Sequence, residues 1–429
     1  MSWFYSKKVW NPKRGDFVSG AFEVKGGRFS QFIFGTLPPK NQKWIDLGGS
    51  HVGPSCVDVH IHARDFEECH KETFETLSEA AAKGGVSVGA CLANTFPRMD
   101  SPARVQEFLK RVKNLPIRLI PFAAVTENLE GKTGTNWNAL LKMPIAGLSD
   151  DGKPILNAEI FGSVLKAVSR SGKILSLHEE DTTISKGSLL HESHTSCRLG
   201  IEGSCSGAEI DMVSRDLEIA KKVKDSSALH FAHVSTGEAV RLLKAAKKRG
   251  QKFSAELTPH HGLLSVDHAE EFPAMKLSTF KVCPPIRAKE DQEALWAGLR
   301  DGVIDMFASD HAPHSLLEKT QPMEIAAHGM IGLEFYFPLI NEIRLRTKLS
   351  WQKFFEAAAE RPASRLSLHK TRRWAVGADA SFIVFNPTAV QKLHWSRSKS
   401  ANTPFQGASV RGKVEQHWIN GVRVYGETR

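Results

Sequence analysis

The chain has 429 residues, 41% of them hydrophobic and 24% charged, which is ordinary for a soluble globular protein and enough to bury a large core. Its formal net charge is +10, but the Lys and Arg residues are scattered without a long basic tract or a nucleic-acid-binding motif, so a solvated basic surface accounts for the charge. No run of about 18 apolar residues exists to span a membrane. None of the six cysteines forms a CxxC pair, which argues against a cysteine zinc site.

Residues 1–8 contain no apolar signal core after their charges, and with the cysteine usage this leads us to expect a reducing, cytoplasmic location. Within the first 50 residues, 17–24 and 32–34 read as short antiparallel strands separated by glycines. From about 55 to about 335, short strand-like runs alternate with longer helical patterns. The runs are 57–61, 87–92, 117–122, 145–148, 174–177, 229–232, 253–257 and 304–308. Amphipathic stretches such as 73–83 and 160–169 lie between several of them. Eight strands in a βα rhythm predict a TIM (β/α)8 barrel over residues 53–365. The basic runs at 221–224 and 247–249 read as helix ends, where cations suit the dipole. Near the C-terminus, 381–385, 414–418 and 422–424 read as strands, with Asn420-Gly421 as a type I′ hairpin turn. The two ends, 1–52 and 366–429, are expected to fold together as a small β-sandwich beside the barrel.

A barrel carries its chemistry where the strands end, so the residues that follow each strand matter most. The first strand leads into His60-Ile61-His62, and a period of two turns both imidazoles to one face. The fifth ends at His178, the sixth at His233, the fourth at Asp150-Asp151 and the eighth at Asp310. A single histidine at a strand end is usually a packing residue. Four histidines and two carboxylates converging from five strand ends instead suit two divalent ions, with zinc favoured.

These residues sit in motifs that resemble the amidohydrolase superfamily, and within it the class I dihydroorotases. The matching segments include Asp58-Val59-His60-Ile61-His62-Ala63-Arg64-Asp65, Ala93-Asn94-Thr95, Ser149-Asp150-Asp151-Gly152 and His178-Glu179-Glu180-Asp181. They continue with His233-Val234-Ser235-Thr236, Glu256-Leu257-Thr258-Pro259-His260-His261, Pro284-Pro285-Ile286-Arg287 and Ser309-Asp310-His311-Ala312-Pro313-His314. HxH alone is a weak signal, whereas the ordered set is highly specific.

The resemblance implies reversible cyclisation of N-carbamoyl-L-aspartate to L-dihydroorotate in pyrimidine biosynthesis, with two Zn2+ ions per chain. One zinc would be held by His60, His62 and Asp310 and the other by His178 and His233. A carboxylate would bridge them in place of the carbamylated lysine of many relatives. Asp151 is the expected bridge and Asp150 the rival. Zinc lowers the pKa of bound water to about 7, and Asp310 would act as general acid/base on the bridging hydroxide's proton. Arg64, Asn94 and His314 would hold the substrate carboxylate, and backbone groups at His328 and Gly329 would contact the ring. One departure stands out: Cys283 precedes Pro284-Pro285-Ile286-Arg287 where relatives usually have Asn.

The small-molecule substrate is the main partner implied, with a homo-oligomer and possible association with aspartate transcarbamoylase. The alternatives are another cyclic amidohydrolase, such as an allantoinase or hydantoinase, or a non-catalytic scaffold for aspartate transcarbamoylase. The first group usually carries the bridging lysine, which is absent here. The second typically loses metal ligands, and all six remain in this sequence.

Overall fold

The computed structural model describes residues 2–185, 187 and 189–426, at 274 and 275 for the backbone only. It contains mixed α and β structure, with the two chain ends joined edge to edge in one eight-stranded sheet. Ser2–Asn11, Asp16–Lys25 and Arg28–Phe34 form an antiparallel meander. His51–Pro54 then runs parallel to the first strand and antiparallel to Phe382–Lys392. The sheet continues through Ser409–Ile419 into Val422–Tyr425. Phe4 stacks on Phe22 and meets Phe382 and Trp418 edge-on, all with centroids 5.0–5.2 Å apart, so the N- and C-terminal strands share one aromatic core.

The strand Ser2–Asn11 was hidden in the sequence because Lys7-Lys8 interrupts its apolar run. A register shift between Ser6 and Val9 turns both lysines outward and lets Val9 and Trp10 return to the core. At the other end, Ile419 pairs with Val422 across Asn420-Gly421. Both turn residues have positive φ, 50° and 75°, as a type I′ turn requires.

Each of the eight central segments read as strands overlaps one. We label them β1 (Cys56–Ile61), β2 (Val86–Cys91), β3 (Arg118–Pro121), β4 (Gly147–Ser149), β5 (Ile174–Leu177), β6 (Leu229–Phe231), β7 (Ser254–Leu257) and β8 (Met306–Phe307). β1 to β3 form one parallel ladder and β4 to β8 a second. Parallel bridges Ala123↔Leu148 and Ile61↔His311 link the two ladders at both edges. Nearly every strand residue is buried, which explains why these segments read as continuous small and branched apolar runs rather than alternating ones.

Helices connect most of the strands and begin where the sequence supplies a cap. Phe74–Lys83 is capped by Thr73, Ala158–Ser169 by Asn157 and Gly237–Lys248 by Thr236. The stretches 73–83 and 160–169 therefore fold as expected, and Lys247 and Lys248 occupy a last helical turn. Among the described residues, no helix is long and apolar enough to cross a membrane. All six cysteines are free thiols.

The parallel register brings the C-terminal ends of β1, β4, β5, β6 and β8 together. One side chain locks the first and last strands: Asp58 Oδ1 accepts from Ser309 N at 3.0 Å and from His60 N at 3.1 Å. β4 can approach β5 only because it starts on glycine. A Cβ at Gly147 would lie 1.9 Å from the carbonyl oxygen of Ile174. Gly147→Ala should therefore destabilise the protein by about 3 kcal/mol, read as a lower denaturation midpoint with an unchanged slope.

Candidate metal centre

Six side chains meet beyond the strand ends. His60 and His62 leave β1, Asp151 follows β4, His178 follows β5, His233 follows β6 and Asp310 follows β8. Asp151 stands between the two histidine pairs. Its Oδ2 lies 3.4 Å from His60 Nε2 and 3.5 Å from His62 Nε2. Its Oδ1 lies 3.3 Å from His233 Nε2 and 3.7 Å from His178 Nδ1. Asp310 Oδ1 closes the first group, 3.0 Å from His62 Nε2 and 3.4 Å from His60 Nε2. Asp150 is turned away: its carboxylate accepts from Val125 N, Thr126 N and Thr126 Oγ1 at 2.6–3.0 Å.

The donor set fits cations. His60, His62 and Asp151 have ligand atoms mutually within 4.8 Å, and so do Asp151, His178 and His233. His60 Nε2 and Asp151 Oδ1 are buried without a hydrogen-bond partner, an arrangement that is costly unless another group satisfies them. The far ring nitrogens are already committed. His60 Nδ1 donates to Glu256 Oε1 at 2.6 Å, and His62 Nδ1 donates to Asn94 Oδ1 at 2.9 Å. Each bond turns the opposite ring nitrogen, Nε2, toward the cluster.

The electrostatics agree. Burial opposes charge on Asp151, but His60, His178 and His233 outweigh it and hold its carboxyl well below the usual range. Burial likewise opposes charge on Asp310, and His60 and His62 pull its pKa down. His60 is driven the other way: against the effect of burial, Asp151, Glu256 and Asp310 hold its pKa well above the ordinary value. Both carboxylates are thus ionised in a site 0–6% exposed, which favours cation binding.

A cavity of about 290 Å³ opens over the cluster and is lined by His62, Arg64, Asn94, Cys283, His328 and Gly329 among others. Arg64 is buried, its Nε donating to Pro313 O at 3.1 Å and its Nη2 to His314 Nε2 at 3.1 Å. His314 is thus paired with Arg64, and its Nε2 also lies close to Gly329 of the cavity wall. Burial and the neighbouring guanidinium keep it neutral, well below its ordinary pKa. Gly329 has φ +122°, and a Cβ there would sit 2.6 Å from Ala312 Cβ, so the loop can pass the cavity wall only as glycine. Cys283 Sγ donates to Glu180 Oε2 at 2.7 Å, beside His178.

Three supporting residues escaped the sequence reading. Glu256, on β7, accepts from His60 Nδ1, His230 Nε2 and His233 N at 2.6–3.0 Å. Its place in the motif before Thr258-Pro259 was visible, but not its partners. Glu180 shares the wall with Cys283. Lys319 is buried, and its ammonium donates to the carbonyls of Lys281, Ala327 and Gly329 at 2.8–3.2 Å, tying the Gly329 loop to the segment that carries Cys283.

Comparison with known proteins follows the same lines. A family model described as Dihydro-orotase-like matches residues 49–239, and one described as Amidohydrolase family matches residues 195–424. The dihydroorotase of Syntrophus aciditrophicus is 38% identical over 394 residues, covering 91% of this chain and 90% of that one. That of Bacillus caldolyticus is 31% identical over 421 residues, covering 97% of each. Among solved structures, L-hydantoinase (dihydropyrimidinase) from Arthrobacter aurescens aligns with TM-score 0.85 and 23% identity over 100% of this chain and 98% of that one. Dihydropyrimidinase from Brevibacillus agri aligns with TM-score 0.83 and 20% identity, covering 100% and 95%. At those identities the structures speak for the fold alone.

The lysine clamp yields a direct expectation. Lys319→Met leaves Ala327 O without its donor, while Lys281 O keeps Gly329 N and Gly329 O keeps Asn402 Nδ2, and should lower stability by about 2 kcal/mol, measured by chemical denaturation.

Proposed function

The chain belongs to the dihydroorotase family of amidohydrolases, and from that premise we propose that its six-residue cluster interconverts N-carbamoyl-L-aspartate and L-dihydroorotate on a TIM barrel. The parallel strands with linked edges support the barrel, over residues 53–365. Residues 1–52 and 366–429 then form the small β-domain beside it.

The observation that carries the reading is the division of Asp151. One oxygen faces His60 and His62 and the other faces His178 and His233, as a bridge between two cations would. In this reading His60, His62 and Asp310 hold one zinc, His178 and His233 the other, and Asp151 both. Bound there, zinc lowers the pKa of water to about 7 and polarises the amide carbonyl.

The chain's own groups supply the rest. Asp310 is held ionised beside the cluster, so it is ready to take the attacking water's proton during ring opening and deliver it to the departing nitrogen. In ring closure the proton retraces that path. The Arg64 guanidinium, fixed by Pro313 O and His314, offers a charged fork to the substrate carboxylate. Asn94 gives its oxygen to His62 and so keeps its amide N–H groups free for the same carboxylate. His314, paired with Arg64, joins it and Asn94 at that carboxylate. The backbone at His328 and Gly329 and the Cys283 thiol border the ring.

The deciding experiment is a substrate panel with zinc-loaded protein: turnover of dihydroorotate is expected to exceed that of allantoin and hydantoins, and no turnover of dihydroorotate would overturn the assignment. Metal analysis should find close to two zinc per chain, with activity lost on chelation and restored by zinc. A protein that cannot be loaded would favour a scaffold role. Asp310→Asn should cut kcat about a thousandfold while the fold persists. Arg64→Met should act mainly on binding, raising KM about 30-fold.

A further inference from the structure

Besides the cluster around Asp151, the described residues include another group with metal-ligand chemistry. His178 Nε2, Glu180 Oε2 and Cys283 Sγ lie within 4.8 Å of one another on the cavity wall. His178 Nε2 is 3.4 Å from Glu180 Oε2 and 3.4 Å from Cys283 Sγ, and Sγ is 2.7 Å from Oε2.

Those edges can be compared with a tetrahedral ion. Bonds of about 2.3 Å to sulfur and about 2.0–2.2 Å to nitrogen and oxygen place the donors about 3.4–3.6 Å apart. Two of the three edges already have that length. The third is a thiol–carboxylate hydrogen bond, and it opens by less than about 1 Å when an ion replaces the proton. All three residues line the cavity. A Cys–His–Glu donor set selects a thiophilic d10 cation over magnesium or calcium.

We propose that His178, Glu180 and Cys283 form a peripheral site for a thiophilic divalent cation, whose occupation obstructs the substrate cavity and inhibits the enzyme. On binding, the thiol releases its proton and the sulfur becomes a thiolate ligand. With the central cluster filled through His178 Nδ1, the Nε2 proton leaves as well, and the ring is shared between the central and peripheral ions. Both protons pass to solvent, so the step needs no other reactant. The site exists because this chain carries a thiol before Pro284-Pro285. An amide there offers no comparable soft ligand.

The test uses cadmium added to the zinc-loaded enzyme. The central ligands are His and Asp only, so a thiolate-to-cadmium charge-transfer band cannot arise from exchange at the cluster. The exposed Cys69, Cys197 and Cys205 are first replaced by Ser to remove their thiolates. In that background one further equivalent of cadmium should bind with the band, and dihydroorotate turnover should fall as the band grows. Adding Cys283→Ser should abolish the band, and Glu180→Gln should weaken cadmium binding at least tenfold. A band that persists without Cys283, or a Glu180→Gln protein that binds cadmium unchanged, overturns the proposal. So does full occupancy with undiminished turnover. The band is read without substrate, so failure of the dihydroorotase assignment would leave the cadmium result standing, and the converse holds too.

Discussion

A single buried carboxylate, shared between two pairs of imidazoles, sets the terms for everything around it. Asp151 is 3% exposed and has no backbone donor on either oxygen; its charge is sustained by the four histidines facing it. Such a charge is tolerable only if the groups around it are held in place, because the interior offers little solvent to compensate a misplaced one. The remaining polar residues near the site follow from this requirement.

Two further carboxylates meet it by holding backbone and rings rather than facing a ligand. Asp58 ties β1 to the segment after β8, and so sets His60 against Asp310. Glu256 gathers His60, His230 and the His233 amide from two other strands. The backbone is strained around the cluster: His233 has φ 30° and Asp310 φ 46°, while Arg64, Asp65 and Phe66 run through three successive positive φ values. Residues in that region persist only where surrounding bonds over-determine them. For Asp65 those bonds are visible, since its carboxylate accepts from Phe66 N and Phe74 N and pairs with Arg111.

Much of this was legible in the sequence, and the limits have physical causes. The His60-Ile61-His62 spacing and the strand-end positions of His178, His233 and Asp310 depend only on local periodicity, so they could be read directly. The choice between Asp150 and Asp151 could not be made from periodicity, because neighbouring residues on an extended chain face opposite ways and the register of β4 was uncertain. Glu256 and Lys319 went unread because what they do lies in long-range partners. The hydrogen bond from His60 to Glu256 spans 196 residues, and that from Asn402 to Gly329, which steadies the Lys319 loop, spans 73. The terminal strands were seen apart from Ser2–Asn11, where a bulge defeats strict alternation, and the short Trp44–Asp46 and His51–Pro54.

The way the terminal sheet is assembled bears on how the polypeptide is made. His51–Pro54 is synthesised long before the strand that covers its far side, which begins at Phe382. On the ribosome, the growing chain must carry an uncovered β-edge and the aromatic face of Phe4 and Phe22 until Phe382 has been made. Such an edge is a template for pairing with other nascent copies. The arrival of Phe382–Lys392 therefore removes a site of mispairing as well as completing the sheet.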